Sequence, residues 1–192
     1  GLIVTFAILA FVVSHLPDKA FLYNVHPDYA LLDQIPAGGF ALGSSLLFSG
    51  LRSGFMTTNF MPPMNEIYHY PYLCVGWFGL FVTALNLIPI GQLDGGHILY
   101  ALVGTKTQGR LARLFFGALI VVGLASFIPF SGIGAHLGRT GWLVWALILY
   151  FFIKLDHPDI PDPTPLSTGR KLLGWLFMVL FILSFPPIPF FS

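Results

Sequence analysis

One stretch holds the residues best suited to chemistry: Asn86-Leu87-Ile88-Pro89-Ile90-Gly91-Gln92-Leu93-Asp94-Gly95-Gly96-His97. It sets a carboxylate just after a Pro–Gly break inside an apolar run, and an ionisable side chain at membrane depth is costly enough to mark a functional position. A carboxylate stays charged in such surroundings only with a partner, and a bound cation is the strongest one available. Plainer roles compete. Asp is a favoured helix cap, so Asp94 taken alone reads first as the cap of the apolar run Ile98 to Val103. Asn86 alone reads as a helix–helix hydrogen bond, and Gly95 and Gly96 as residues that permit a turn and close packing. His97 lies three residues after Asp94 and can share a helix face with it, but packing or the support of a ligand suits it better than direct ligation.

The elements around this stretch are those of a membrane protein. The chain has 192 residues, 56% of them hydrophobic and 9% charged, with a mean hydropathy of +0.81. A soluble domain carries about 25% charged residues, so a water-facing surface cannot be built from this composition. A bilayer span takes about 20 apolar residues. Gly1 to Leu16, Tyr72 to Ile88, Leu114 to Phe130, Trp142 to Ile153 and Leu172 to Phe185 read as five spans, the second resuming after the break as Leu93 to Val103. A Pro–Gly break inside a span frees backbone groups that lipid cannot satisfy, so it has to face protein or a watery cavity. Phe40 to Leu51 is apolar but short, which suits a re-entrant or interfacial piece within a mixed loop covering residues 17–71. Trp142, Trp145 and Trp175 read as interface anchors. The sequence thus predicts one all-α transmembrane domain over residues 1–192: a polytopic bundle with one Pro/Gly-broken helix.

Net charge is +1, which excludes a strongly basic nucleic-acid binder. Lys106, Arg110, Arg113, Lys154, Arg170 and Lys171 fall on one side by span parity and make up six of the nine basic residues. The excess puts the Gly104 to Arg113 connection and the 154–171 linker in the cytoplasm, and the 17–71 loop on the other side. The acidic, Pro-spaced run Asp156 to Pro165 should be extended and solvated. Cys74, the single cysteine, cannot form an internal disulfide. Of the other histidines, His69 between two tyrosines reads as interfacial, and His157 beside Asp156 and Asp159 as part of a solvated linker.

The string Asn-x-x-Pro-x-x-x-x-Asp-Gly at residues 86–95, extended as Leu93-Asp94-Gly95-Gly96-His97, resembles the second signature of the site-2 protease family of intramembrane zinc metalloproteases. Looser likenesses lie in Tyr68-His69-Tyr70-Pro71-Tyr72, and in Pro165-Leu166, Arg170-Lys171 and Pro186-Pro187-Ile188-Pro189, which are similar to the C-terminal region of the chloroplast and bacterial branch. The resemblance implies that Asp94 is the third protein ligand of a catalytic zinc, with Asn86 and Pro89 shaping the site. It implies hydrolysis of membrane-protein substrates within the bilayer, and a setting in a bacterial inner membrane. The family also needs His-Glu-x-x-His, two ligands one helical turn apart and a general base. His15, His26, His69, His97, His136 and His157 show no such spacing. Because Gly1 opens directly into an apolar run, that motif is expected upstream of it, and this chain alone should be inactive. The rival reading is a non-catalytic membrane protein, either a pseudoprotease scaffold or a transporter with a broken helix.

Overall fold

The computed structural model describes residues 2–32, 35–36, 38–55, 60–125, 141–153 and 165–191. The described chain is predominantly helical, with α1 (Leu2–Ser14), α2 (Lys19–Val25), α3 (Leu46–Phe55), α4 (Pro71–Asn86), α5 (Asp94–Ala125), α6 (Gly141–Ile148) and α7 (Thr168–Ser184). A π-helical turn, Leu149–Ile153, prolongs α6, and 3-10 turns occupy Pro27–Leu31 and Ile67–His69. Among the described residues, the one departure from all-α is a pair of two-residue strands. β1 (Ala41–Leu42) runs antiparallel to β2 (Phe190–Phe191), with Ala41 opposite Phe191 and Leu42 opposite Phe190. The chain packs as two compact units, one running to Thr83 and taking in Ser184 onward, the other Ala84–Leu183.

In the first unit, α1 ends ahead of Pro17, which has no N–H to continue a helix. The chain then turns by 90° into α2. α4 begins on Pro71, whose fixed φ suits a first helical position, and it meets α1 through glycines. Gly76 leaves room for Leu9 and Gly79 for Thr5, the small-residue contact that lets helices approach closely where apolar burial gives no net drive. Ser45 caps α3, its Oγ accepting from the Phe48 N–H at 3.2 Å. α3 buries Phe48 and Leu51 and exposes Leu46 and Phe55. The short apolar segment expected at Phe40 to Leu51 is therefore a strand followed by a helix that runs on to Phe55. At ten residues this helix is about 15 Å long, half the thickness of a hydrocarbon core. The 17–71 segment, read from sequence as a loop, holds α2, α3 and both 3-10 turns.

The C-terminal prolines are held by the same unit. The Gly43 N–H donates to the Pro189 carbonyl at 2.8 Å, and the Trp77 indole donates to the Gly43 carbonyl at 2.6 Å. The Trp77 ring also lies against Phe81 and Phe190, with centroids 5.3 and 5.7 Å away. A Cβ on Gly43 would run into the Ile188 carbonyl.

In the second unit, the connection expected at Gly104 to Arg113 is helical. Only Gly104 leaves helical geometry, at φ 78 and ψ 168, and Thr105 to Arg113 contains no proline to stop the helix resuming. Gln108 there is fully buried, while Lys106, Arg110 and Arg113 are exposed. α5 and α6 pack together with Gly123 against Leu143, and Gly174 of α7 lies against Leu102. Trp142 is 2% exposed and so is a core residue rather than an interface anchor; Trp175, at 50%, remains on the surface. Residues 126–130 of the third expected span and residues 154–164 of the expected linker lie outside the described residues.

Among the described residues, one helix, Asp94–Leu124, is long and apolar enough to cross a membrane, or two if the bent pair Ile3–Ser14 and Lys19–Val25 counts as a span. Pro71–Asn86 and Trp142–Phe151 are apolar but shorter. Of the five spans expected from sequence, the described residues thus supply one clear candidate by length and composition. Large apolar side chains nonetheless point outward from the helices, among them Ile3, Val75, Leu114, Val144 and Leu172.

The Gly43 crossing predicts a paired result. Gly43→Ala is expected to destabilise the protein by about 1–3 kcal/mol, since backbone rather than a flexible side chain must yield. Gly50→Ala, in α3 with nothing within 4 Å of the added carbon, should stabilise by about 0.5–1 kcal/mol. Thermal unfolding of the two variants in detergent, compared with wild type, checks both signs.

Candidate functional site

The break between α4 and α5 is compact. Leu87, Ile88 and Ile90 are 5%, 1% and 0% exposed, and Gly91 turns the chain at φ 52. The turn meets its own hydrogen-bonding needs in part: Ile88 N–H donates to Leu85 O at 3.2 Å, Ile90 N–H to Ile88 O at 2.8 Å, and Leu93 N–H to Ile90 O at 3.2 Å. The first turn of α5 then lies directly on these carbonyls. A Cβ on Gly95 would collide with the Leu87 carbonyl and stand 2.7 Å from Ile88 O; one on Gly96 would collide with Gly91 O and stand 2.7 Å from Ile90 O. The paired glycines after Asp94 are thus a packing requirement of this turn.

Asp94 itself takes the first helical position, one past the capping position, with Leu93 before it and the His97 N–H donating to Leu93 O at 3.0 Å. Its carboxylate is exposed and makes no hydrogen bond or ion pair among the described residues. The capping role open to it on sequence grounds is therefore not the one it plays here. A negative charge in the first turn is still favoured by the helix dipole, by about 0.3–1 kcal/mol. Asn86 is the last residue of α4 and exposed, Pro89 sits half-buried inside the turn, and His97 is exposed one turn beyond Asp94. The site so built offers one anionic oxygen ligand on a rigid backbone.

A second constellation was not foreseen as one. His26, Glu66 and His69 bring three ligand atoms within 4.8 Å of one another. His26 ends α2, its N–H donating to Leu22 O at 2.8 Å; Glu66 leads into the Ile67–His69 turn, where the His69 N–H donates to Glu66 O at 3.1 Å. The two Nε2 atoms are 2.9 Å apart, and Glu66 Oε2 is 3.7 Å from that of His26 and 3.4 Å from that of His69. The other carboxylate oxygen, Oε1, accepts from the Tyr29 hydroxyl and the Asn65 amide, both at 3.0 Å. Desolvation and the bond to Glu66 push the Tyr29 phenol up, so it remains a donor at neutral pH. The Glu66-x-x-His69 spacing was visible in the sequence; His26, 43 residues from His69, carried no local signal. His136 and His157 lie outside the described residues.

Peptidase family M50 matches residues 35–130, half of the chain. Among curated proteins, the chain is similar to "Probable zinc metalloprotease EGY1, chloroplastic" of Arabidopsis thaliana, 30% identical over 62% of this chain and 20% of the relative. It is also similar to "Probable zinc metalloprotease EGY3, chloroplastic" of Oryza sativa subsp. indica, 31% identical over 61% of this chain and 18% of the relative. "Probable zinc metalloprotease EGY2, chloroplastic" of Arabidopsis thaliana is 25% identical over 81% of this chain and 30% of the relative. The chain spans about a fifth of the length of the first of these relatives, and no solved structure matches it significantly. With Asn86, Pro89, Asp94 and the two packed glycines all inside the matched region, the chain belongs to peptidase family M50, the site-2 protease family.

Proposed function

We propose that this chain is the part of an intramembrane zinc metalloprotease that contributes the third zinc ligand, Asp94, and that the whole protein cleaves peptide bonds in or near the transmembrane segments of membrane-protein substrates. The observation that carries the reading is the state of Asp94: exposed and unpartnered, on backbone fixed by two glycines. Family membership and the names of the similar proteins support a zinc protease. The donor chemistry fits for one ligand only. Zinc takes three protein ligands in catalytic sites; the only three-donor cluster among the described residues excludes Asp94, and no pair of histidines in the chain has the His-x-x-x-His spacing. The two imidazoles and the general-base Glu are assigned to a segment beyond these 192 residues. Zinc, when bound, supplies Lewis acidity and lowers the pKa of its water toward neutrality. The chain's own part is to present the Asp94 carboxylate at the mouth of a broken helix, with Asn86 ending α4 and Pro89 in the turn between.

The bilayer setting is supported by the family match and by the many large apolar side chains exposed on α1, α4, α5 and α7. The similar proteins are plant chloroplast proteins, which gives no support to the bacterial inner membrane expected from sequence.

Three outcomes are expected. In the full-length protein, Asp94→Asn should leave abundance and thermal stability near wild type while lowering cleavage of a transmembrane reporter by at least ~10²-fold and weakening zinc retention. Wild-type zinc content and cleavage in that variant would make Asp94 structural and favour the non-catalytic rival. Gly95→Ala should cost about 1–3 kcal/mol of stability and lower cleavage with it, because the first turn of α5 must move off the Leu87 carbonyl. Cysteines introduced at positions 106 and 170 should be shielded from an impermeant thiol reagent applied outside sealed vesicles of native orientation, as the excess of basic residues requires; labelling of both from outside would reverse the orientation.

A further inference from the structure

His26, Glu66 and His69 form a cluster that the protease reading does not use. Glu66 is 3% exposed. Its Oε1 is saturated by Tyr29 and Asn65, and Asn65 is itself tied to the Pro36 and Gly38 carbonyls at 2.9 and 3.3 Å. The other oxygen, Oε2, is buried and accepts no hydrogen bond, though it faces both imidazoles. A buried carboxylate oxygen left without a donor loses its hydration and gains nothing in return. The histidines lie edge to face, with ring centroids 4.9 Å apart, and direct their Nε2 atoms at one another. Two neutral rings can share one proton across that gap, which leaves Oε2 only the longer approaches of 3.7 and 3.4 Å to the two imidazoles.

A cation between the three atoms satisfies all of them. Zinc-type bonds of about 2.0–2.2 Å place tetrahedral donors about 3.3–3.6 Å apart. The observed separations of 2.9, 3.4 and 3.7 Å straddle that edge. Two imidazoles and a carboxylate form a borderline donor set that takes zinc and its first-row neighbours in preference to calcium or magnesium. The donors are also held from behind: Tyr29 stacks on His26 with centroids 4.6 Å apart and hydrogen-bonds the opposite oxygen of Glu66, the outer support that orients ligands. The two side chains with residual exposure are His26, at 30%, and His69, at 20%, which leaves an entry side for the ion and a fourth position for water.

We propose that His26, Glu66 and His69 form a second metal site, one that binds a divalent transition-metal ion of the zinc class through two imidazole Nε2 atoms and Glu66 Oε2, with water as the fourth ligand. The site is independent of Asp94 and of the catalytic reading.

The test uses the full-length protein purified in detergent, stripped with chelator and titrated with Zn²⁺ alone, followed by Co²⁺ as a spectroscopic probe. Wild type is expected to take up one equivalent per chain that is lost in His26→Ala, His69→Ala and Glu66→Gln and retained in Asp94→Asn, with the matching loss of cobalt d–d absorbance. A catalytic zinc, if present, disappears with Asp94→Asn instead, so the two readings fail separately. Should the alanine variants aggregate, wild type decides alone: saturating Zn²⁺ should protect His26 and His69 at least ~10-fold from diethyl pyrocarbonate, read by peptide mass spectrometry, while exposed His15 stays reactive. Unchanged zinc uptake in well-folded variants, or equal modification of the two histidines with and without Zn²⁺, overturns the proposal.

Discussion

The close approach of the first turn of α5 to the carbonyls of Leu87 and Gly91 is the constraint on which the Asp94 site depends, because it can exist only where two successive residues lack a side chain. A polypeptide that breaks a helix in an apolar setting frees N–H and C=O groups that lipid will not satisfy. Here the turn closes on itself through the Ile90–Ile88 and Leu93–Ile90 bonds, buries Ile88 and Ile90, and takes the backbone of Gly95 and Gly96 directly against its carbonyls. The result is a rigid step in the chain with a carboxylate on its edge. An acidic residue set on such a step does not collapse onto a neighbouring amide, which is what a ligand requires and a cap does not.

Glycine solves a related problem elsewhere. Gly76, Gly79, Gly123 and Gly174 each meet a side chain from another helix, and Gly43 meets a backbone carbonyl. Where both lipid tails and side chains are apolar, helices gain little by burying Leu against Leu, and close van der Waals approach has to supply the association. The outward-facing Ile, Val, Leu and Phe residues are the complement of that economy: they are left for the solvent phase while small residues face the neighbour. Not every glycine is used this way, since Gly50 and Gly117 meet nothing.

The two carboxylates with chemical promise are handled in opposite ways. Asp94 is exposed on a helix start whose dipole favours its charge. Glu66 is buried, with one oxygen saturated by a phenol and an amide and the other turned toward two imidazoles. A buried carboxylate held on one side only is an arrangement that folding alone does not explain, because replacing it with an apolar residue would remove the desolvation cost.

The sequence by itself determined the helical class and the break at Pro89–Gly91, put the resumption of the helix at Leu93, one residue before α5 begins, and made Asp94 a candidate through the resemblance of residues 86–95. Each of these rests on composition or on residues no more than about ten apart, as in the string Asn86 to Gly95, and local spacing is what a sequence displays. It did not determine that Gly104 to Arg113 would stay helical, since a glycine beside three basic residues reads equally as a loop and as a one-residue kink; the burial of Gln108 and the packing of α5 on α6 decide for the kink. Nor did it determine that Trp142 would be core, because an indole near a helix end is suited to both a headgroup region and a helix contact. The His26–Glu66–His69 cluster shows the limit most plainly. Its i, i+3 half was legible, but His26 reaches it only because α2 turns sharply away from α1 and ends beside the Ile67–His69 turn. Contacts across tens of residues are set by how whole elements pack, and no pattern along the chain encodes that distance.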